Sequence, residues 1–449
     1  MPRVQLLLVL LITVAGVLAQ QQITSLPLFD GEFPSDMYSG YVQVNATNGG
    51  NIFYWFVESE NDPANDPILM WMQGGPGCAG TWGMWVEMGP YRLDPFTQAV
   101  QLNDYRWTRD ANMIFIDQPA GVGFSYADTV RGEASGDYLA AEDNYIFLQE
   151  WFKLFPSYAD NDLWIVGESY GGVYVPTLVN QIVTGNDTQM ANALTGFMVG
   201  NPVINCDLPD GQNFKTLTID NFFYHGLIGY RDKMNWYNQG CSTSSNIQCD
   251  TLYIEIMQTA SPVDGDDLYH NPCTGNGTIN FMETVPGCEN LSAKISWYFN
   301  RQDVKQAIHA QDGLWDSCSL INGIEYHKSD ENMLQLYTSF FDNTNLRIMV
   351  YSGDVDINTV PHPNTQACLY QMNRPVTQSW SRWTVPGPEM PVWSVNPANK
   401  DITAGYVEVY DRYTYATVRA AGHEVPLYQP HFGYELFKRF VIDNDPSIQ

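Results

Sequence analysis

The pentapeptide Gly167-Glu168-Ser169-Tyr170-Gly171 sets a hydroxyl between two glycines, with an acid at its side, where the apolar run "DLWIVG" gives way to a helical stretch. That context predicts a nucleophile elbow, in which glycines let a strained turn close tightly and leave the serine exposed at the carboxyl end of a strand. A serine becomes a nucleophile when a base takes its proton and an acid orients that base. Asp356 follows the strand-like run "RIMVYSG", and His423 follows "YATVRAAG", so both are expected just past strand ends. In that arrangement His423 takes the proton from Ser169, and Asp356 holds the imidazole in the right tautomer. Asp354 competes for the acid position, because the spacing of "GDVD" does not choose between the two. A lone Gly-x-Ser-x-Gly match or a lone histidine carries little weight; the ordered set of three carries the reading.

A second loop completes the chemistry. "QGGPGCAG" (73–80) follows another strand end, and three glycines beside one proline can present backbone N–H groups without Cβ obstruction. Gly75 and Tyr170, the residue after the nucleophile, are the candidate donors of an oxyanion hole. A phosphate cradle is the competing reading of a glycine-rich loop, but no Lys-Ser/Thr follows and the surroundings are acidic.

The elements that must position these residues alternate. β-rich apolar runs at 39–44, 51–57, 67–73, 112–117, 162–167 and 194–200 are bounded by Gly, Pro and Asn. Between the later ones lie helical stretches such as 135–156, where apolar residues return every three or four positions until Pro156. Alternation of strand and helix predicts an α/β fold with a mainly parallel central sheet flanked by helices. After Pro202 the pattern breaks, and 203–310 holds five of the eight cysteines and irregular stretches such as "SPVDGDDLYHNPC". The predicted organisation is therefore a core from 20 to 202, an inserted disulfide-rich cap at 203–310, and a second core part at 311–449. The order Ser, Asp, His along the chain is that of the α/β-hydrolase fold.

Composition bounds the setting. The N-terminal "MPRVQLLLVLLITVAGVLAQ" has a basic residue, an apolar run and small residues near Ala19, the layout of a cleaved signal peptide over 1–19. An even set of cysteines in such a chain predicts disulfides, and the absence of CxxC pairs argues against a metal site. Sequons at Asn45, Asn186, Asn276 and Asn290 are candidate glycosylation sites. A net charge of −29 repels phosphate backbones, which argues against nucleic acid as a partner, and no later segment is long and apolar enough for membrane insertion. The same acidity suits an acidic compartment, where carboxyl groups are partly neutralised.

Six ordered blocks, "WMQGGPGCAG", "IDQPAGVGFSY" (116–126), "GESYGGVYVP" (167–176), "GNP" (200–202), "YSGDVD" (351–356) and "AGHEVP" (421–426), resemble the signatures of the serine carboxypeptidases, the group that includes cathepsin A. The resemblance runs from about residue 25 to 440. It implies a triad of Ser169, Asp356 and His423, an oxyanion hole from Gly75 and Tyr170, and capture of a peptide's terminal carboxylate by Glu87, Glu168, Gln73 and Gly74, with Trp71 in support. It also implies a Cys78–Cys318 disulfide, loop closures Cys241–Cys249 and Cys273–Cys288, and Cys206–Cys368 as the remaining pair. Gln73 stands where the family most often has Asn, and "GCAG" replaces the commoner "GCSS". Glu424, directly after His423, is a candidate selector for a basic departing residue.

Two glutamates held close share a proton, because both cannot ionise cheaply. The resemblance therefore implies release of single residues from peptide or protein C-termini at acidic pH, with no cofactor and no metal, in a secreted or lysosomal/vacuolar protein. The oligomeric state, monomer or homodimer, is left open. The alternatives are an acyltransferase on the same scaffold and an inactive protective or binding homologue.

Overall fold

The computed structural model describes residues 20–47, 49–94, 97–128, 135–208, 213–260, 265–269, 291–318, 324–387 and 401–449, with the backbone alone of 283–284 and 289–290. The expected signal peptide (1–19), Cys273, Cys288, Asn276 and the side chain of Asn290 lie outside the described residues. The chain forms two compact units, one of residues up to Phe197 with Leu291–Ser329, the other of Met198–Asn290 with Asp330–Gln449.

In the first unit, β1 (Met37–Asn45), β2 (Gly50–Val57), β3 (Ile68–Met72), β4 (Asn112–Asp117) and β5 (Leu163–Glu168) lie in the order β1-β2-β4-β3-β5. The short link between β1 and β2 can only fold back on itself, so that pair is antiparallel, as is β2 with β4. β4 with β3 and β3 with β5 are parallel, and every residue of these three strands is buried. Continuous apolar runs such as "ILMWM" are what strands covered on both faces require. The helices of this unit include α1 (Gly80–Val86), α2 (Asp137–Leu154) and α3 (Gly171–Thr184). α2 buries Asp137, Ala140, Ala141, Asn144, Phe147, Leu148 and Trp151, a stripe at three- and four-residue spacing. The later helix Leu291–Phe299 also belongs here, with Tyr298 and Phe299 packed on Trp85.

The second unit begins within β6 (Leu194–Gly200) and continues the β-structure in the order β6-β7-β10-β9-β8, with β7 (Arg347–Gly353), β8 (Val376–Pro386), β9 (Asp401–Tyr410) and β10 (Thr414–Val418). β7 and β10 are parallel and in register from Met349↔Thr414 to Gly353↔Val418. β9 and β8 add antiparallel neighbours, so the architecture is α/β with a mixed sheet: parallel pairs carry the site-bearing strand ends, and antiparallel pairs lie further out. Within 203–310 the described helices of this unit are α4 (Phe214–Tyr224), α5 (Tyr230–Asn238) and α6 (Ile247–Ala260). They close on Ile219, Phe222, Trp236 and Ile256, joined by Ile357 from the segment after β7. Three disulfides form among the described residues: Cys78–Cys318 in the first unit, Cys206–Cys368 and Cys241–Cys249 in the second.

Candidate active site

β5 ends at Glu168, α3 begins at Gly171, and Ser169 makes the turn between them with φ +59°. That left-handed conformation is uncommon for a residue with a Cβ and persists only where the surroundings enforce it. A Cβ on Gly167 would lie 2.7 Å from the carbonyl oxygen of Met72, and one on Gly171 3.1 Å from the same atom. The close crossing of the turn over the end of β3 therefore demands glycine at 167 and leaves a Cβ at 171 only a tight fit. The "QGGPG" loop rests directly on this elbow, since a Cβ on Gly74 would stand 2.6 Å from that of Ser169 and 2.7 Å from the Tyr170 nitrogen. Gly75 follows with φ +111°, and Cys78–Cys318 ties the loop to the segment where Ala79 N–H donates to Ser317 O at 2.8 Å.

Beside the elbow lies a buried acid pair. The Trp71 indole N–H donates to Gln73 Oε1 at 2.7 Å, which fixes the amide so that its Nε2 donates to Glu87 Oε1 and Glu168 Oε1, both at 3.2 Å. Glu87 closes α1, Glu168 ends β5, and each is 1% exposed. Burial pushes the Glu87 carboxyl up to about 7, against the opposing pull of hydrogen bonds with Glu168 and Gln73 and of the Arg92 charge. Two carboxyls this close to one another and to one amide favour a shared proton over two negative charges. The longer Gln73 is accommodated because α1 presents Gly83 there: a Cβ on Gly83 would fall 2.2 Å from Gln73 Oε1.

In the second unit, parallel β7 and β10 finish level, and the loops beyond them bring Asp356 and His423 together. His423 Nδ1 lies 2.7 Å from Asp356 Oδ2. The same oxygen accepts from Asn201 Nδ2 and Val360 N, each at 3.0 Å, and Oδ1 accepts from Thr359 N at 3.0 Å. Asp354 is turned elsewhere: it accepts from Ala420 N at 2.7 Å, and burial raises its carboxyl to about 6. The choice that spacing left open thus falls geometrically on Asp356. Burial disfavours charge on His423, while the charge and hydrogen bond of Asp356, with Asp266 and Glu424, outweigh it and favour the imidazolium form. His423 N also donates to Asp266 O at 2.8 Å.

The structure thus groups Gln73, Gly74, Glu87, Glu168, Ser169 and Tyr170 in the first unit, and Asp356 with His423 in the second. Sequence reasoning missed the hydrogen bond from Asn201, although "GNP" sits where a strand end would project a side chain, and it missed Asp266, for which no sequence signal exists. Asn186 is exposed and Asn45 half-buried.

A family profile described as serine carboxypeptidase matches residues 27–443. Among curated relatives, serine carboxypeptidase 24 from Arabidopsis thaliana is 34% identical over 438 residues, covering 90% of this chain and 88% of its own. Serine carboxypeptidase-like 32 from the same plant is 31% identical over 440 residues, covering 92% and 90%. Among solved structures, Kex1(delta)p, a prohormone-processing carboxypeptidase from Saccharomyces cerevisiae, superposes with a TM-score of 0.68 at 19% identity, covering 91% of this chain and 92% of its own, a likeness of fold.

Proposed function

As the chain belongs to the serine carboxypeptidase family, we propose that it is an active serine-type carboxypeptidase that removes single residues from the C-termini of peptides and proteins at acidic pH. Ser169 Oγ attacks the last peptide carbonyl while His423 takes its proton, and Asp356 steadies the imidazolium. The amides of Gly75 and Tyr170 receive the oxyanion. His423 then returns the proton to the departing amine, and water, activated by the same imidazole, hydrolyses the acyl-enzyme and regenerates Ser169. Disulfides such as Cys206–Cys368 support an oxidising destination, secreted or lysosomal/vacuolar, and among the described residues no helix is long and apolar enough to cross a membrane.

The observation that carries this reading is the buried pair of Glu87 and Glu168, the latter next to Ser169 in sequence, both facing the Gln73 amide. Protonated, the pair donates to a substrate's terminal carboxylate together with the Gln73–Gly74 loop; deprotonated, it repels that charge. Since the Glu87 carboxyl is raised to about 7, the proton is present below that pH and lost above it. KM for peptides should therefore rise, roughly tenfold per unit at the limit, as pH climbs past about 7, while esters lacking a free carboxylate should be spared. Steady-state KM measured between pH 4.5 and 8.5 on a matched peptide and blocked ester tests this, with Ser169→Ala as the blank. A peptide KM that stays flat across that range would overturn the reading. The same assay separates the alternatives: an added alcohol that captures the acyl group in preference to water marks a transferase, and failure of a fluorophosphonate to label Ser169 marks an inactive binding protein.

A further inference from the structure

Behind Tyr170 lies a buried carboxyl that none of the steps above uses. Asp137 opens α2 and is 2% exposed. Its Oδ1 accepts from the Tyr170 hydroxyl at 3.0 Å and the Tyr326 hydroxyl at 2.8 Å; its Oδ2 accepts from the Tyr170 hydroxyl at 3.2 Å and Ser329 N at 2.7 Å. Tyr326 is delivered by the short strand Tyr326–His327, which pairs in parallel with Ser135–Gly136 directly ahead of Asp137. Tyr326 also hydrogen-bonds Tyr174, whose hydroxyl accepts the Gly77 N–H at 3.1 Å. The three rings stand edge-on to one another, with centroids 5.3 Å apart for Tyr170 and Tyr174 and 6.1 Å for each with Tyr326. One carboxyl thus stands at the junction of two contact chains. The first ends at Tyr170 and the second at Gly77, two residues past Gly75.

We propose that Asp137 is a positioning residue for the oxyanion hole, holding Tyr170 directly and the Gly75–Gly77 turn through Tyr326 and Tyr174, and so fixing the separation of the two amides that meet the developing charge. The inference rests on the assignment of Gly75 and Tyr170 made above. Oxyanion donors act only when they sit at hydrogen-bond distance from the place the charged oxygen will occupy, and displacement on the order of 1 Å can cost up to about 100-fold in rate. An acid suits the junction because everything facing it is a donor: two hydroxyls and an amide N–H. An asparagine there would turn an NH2 toward one of those donors.

The test compares Asp137→Asn and Tyr326→Phe with the wild type in turnover of a peptide and an ester, in inhibition by a peptide aldehyde, and in binding of free phenylalanine. The aldehyde forms a hemiacetal with Ser169 whose oxygen occupies the hole; phenylalanine probes only the carboxylate site. In Asp137→Asn, kcat should fall about tenfold and the aldehyde Ki should rise by the same factor, while KM and phenylalanine affinity stay within about twofold. Tyr326→Phe keeps the ring packing and should show the same pattern at about a third of the effect, which keeps the test open should Asp137→Asn fail to fold. Unchanged kcat and aldehyde Ki in a folded variant, or an equal loss in phenylalanine affinity, would overturn the proposal. A wild type that turns over esters but no peptide would refute the carboxypeptidase reading instead. The variant-to-wild-type ratios would still decide the role of Asp137, because any acyl chemistry at Ser169 passes through the same charged oxygen.

Discussion

Two buried acid sites, one in each unit, are built on opposite plans. Asp356 is surrounded by donors: the His423 imidazole, the Asn201 amide and two backbone N–H groups all point at its two oxygens. Glu87 and Glu168 are equally secluded, but they face one another across the NH2 of Gln73, which donates to both. A carboxyl ringed by donors is equipped to steady a positive charge beside it. Two buried carboxyls held side by side favour a shared proton, and a carboxyl that keeps its proton can donate a hydrogen bond. Burial alone does not say what an acid is for; the charge of its neighbour, a base in one case and a second acid in the other, does.

The comparison can be broken at either site. The largest effect is expected from Asp356→Asn, which should lower kcat by roughly 10⁴ with little change in KM, as the imidazole loses its tautomer and its partner. Parity of kcat with wild type would mean that Asp356 has no part in the chemistry. Asn201→Ala removes one donor of that ring and should cost about tenfold in kcat, the equivalent of one hydrogen bond to a charged group. A change confined to KM would place Asn201 on the substrate side instead. The double variant Glu87→Gln with Glu168→Gln sharpens the other half through stability. With its carboxyl raised from 4.5 to about 7, Glu87 favours the folded chain fully below about pH 4.5, and that contribution is lost as pH rises to about 7, because only the unfolded chain releases the proton in that window. Wild-type Tm should therefore fall between pH 4.5 and 7.5 by roughly 2 °C more than that of the double variant. Parallel Tm profiles would show that the pair holds no extra proton.

Much of the fold was legible because burial on both faces writes itself as uninterrupted apolar runs: "ILMWM", "NMIFID" and "LWIVGE" are strands almost to the residue. Pairing direction was not legible, because a strand's composition does not record whether its neighbour arrives through a hairpin, as β2 follows β1, or through a helix. β8 escaped notice since most of its residues are exposed and its alternation is weak. Ser169, Asp356 and His423 stood out because each sits at the end of a strand-like run. The partnership of Glu87 with Glu168 came only from family resemblance, since nothing in either segment records the 3.2 Å contacts they share through Gln73. Asn201 and Asp137 meet partners 155 and 189 positions along the chain, and no local pattern encodes such a meeting.

The left-handed backbone at residue 169 has an evolutionary corollary. Glycine adopts that conformation freely, whereas serine costs on the order of 1 kcal/mol or more there. Were Ser169 replaced by glycine, the turn would be relieved of that local strain, and the proposed nucleophile would be gone while the shape stayed. A serine at this turn thus stands against a local conformational preference, and shape-keeping chains without the hydroxyl are the expected by-product wherever demand for the proposed chemistry lapses.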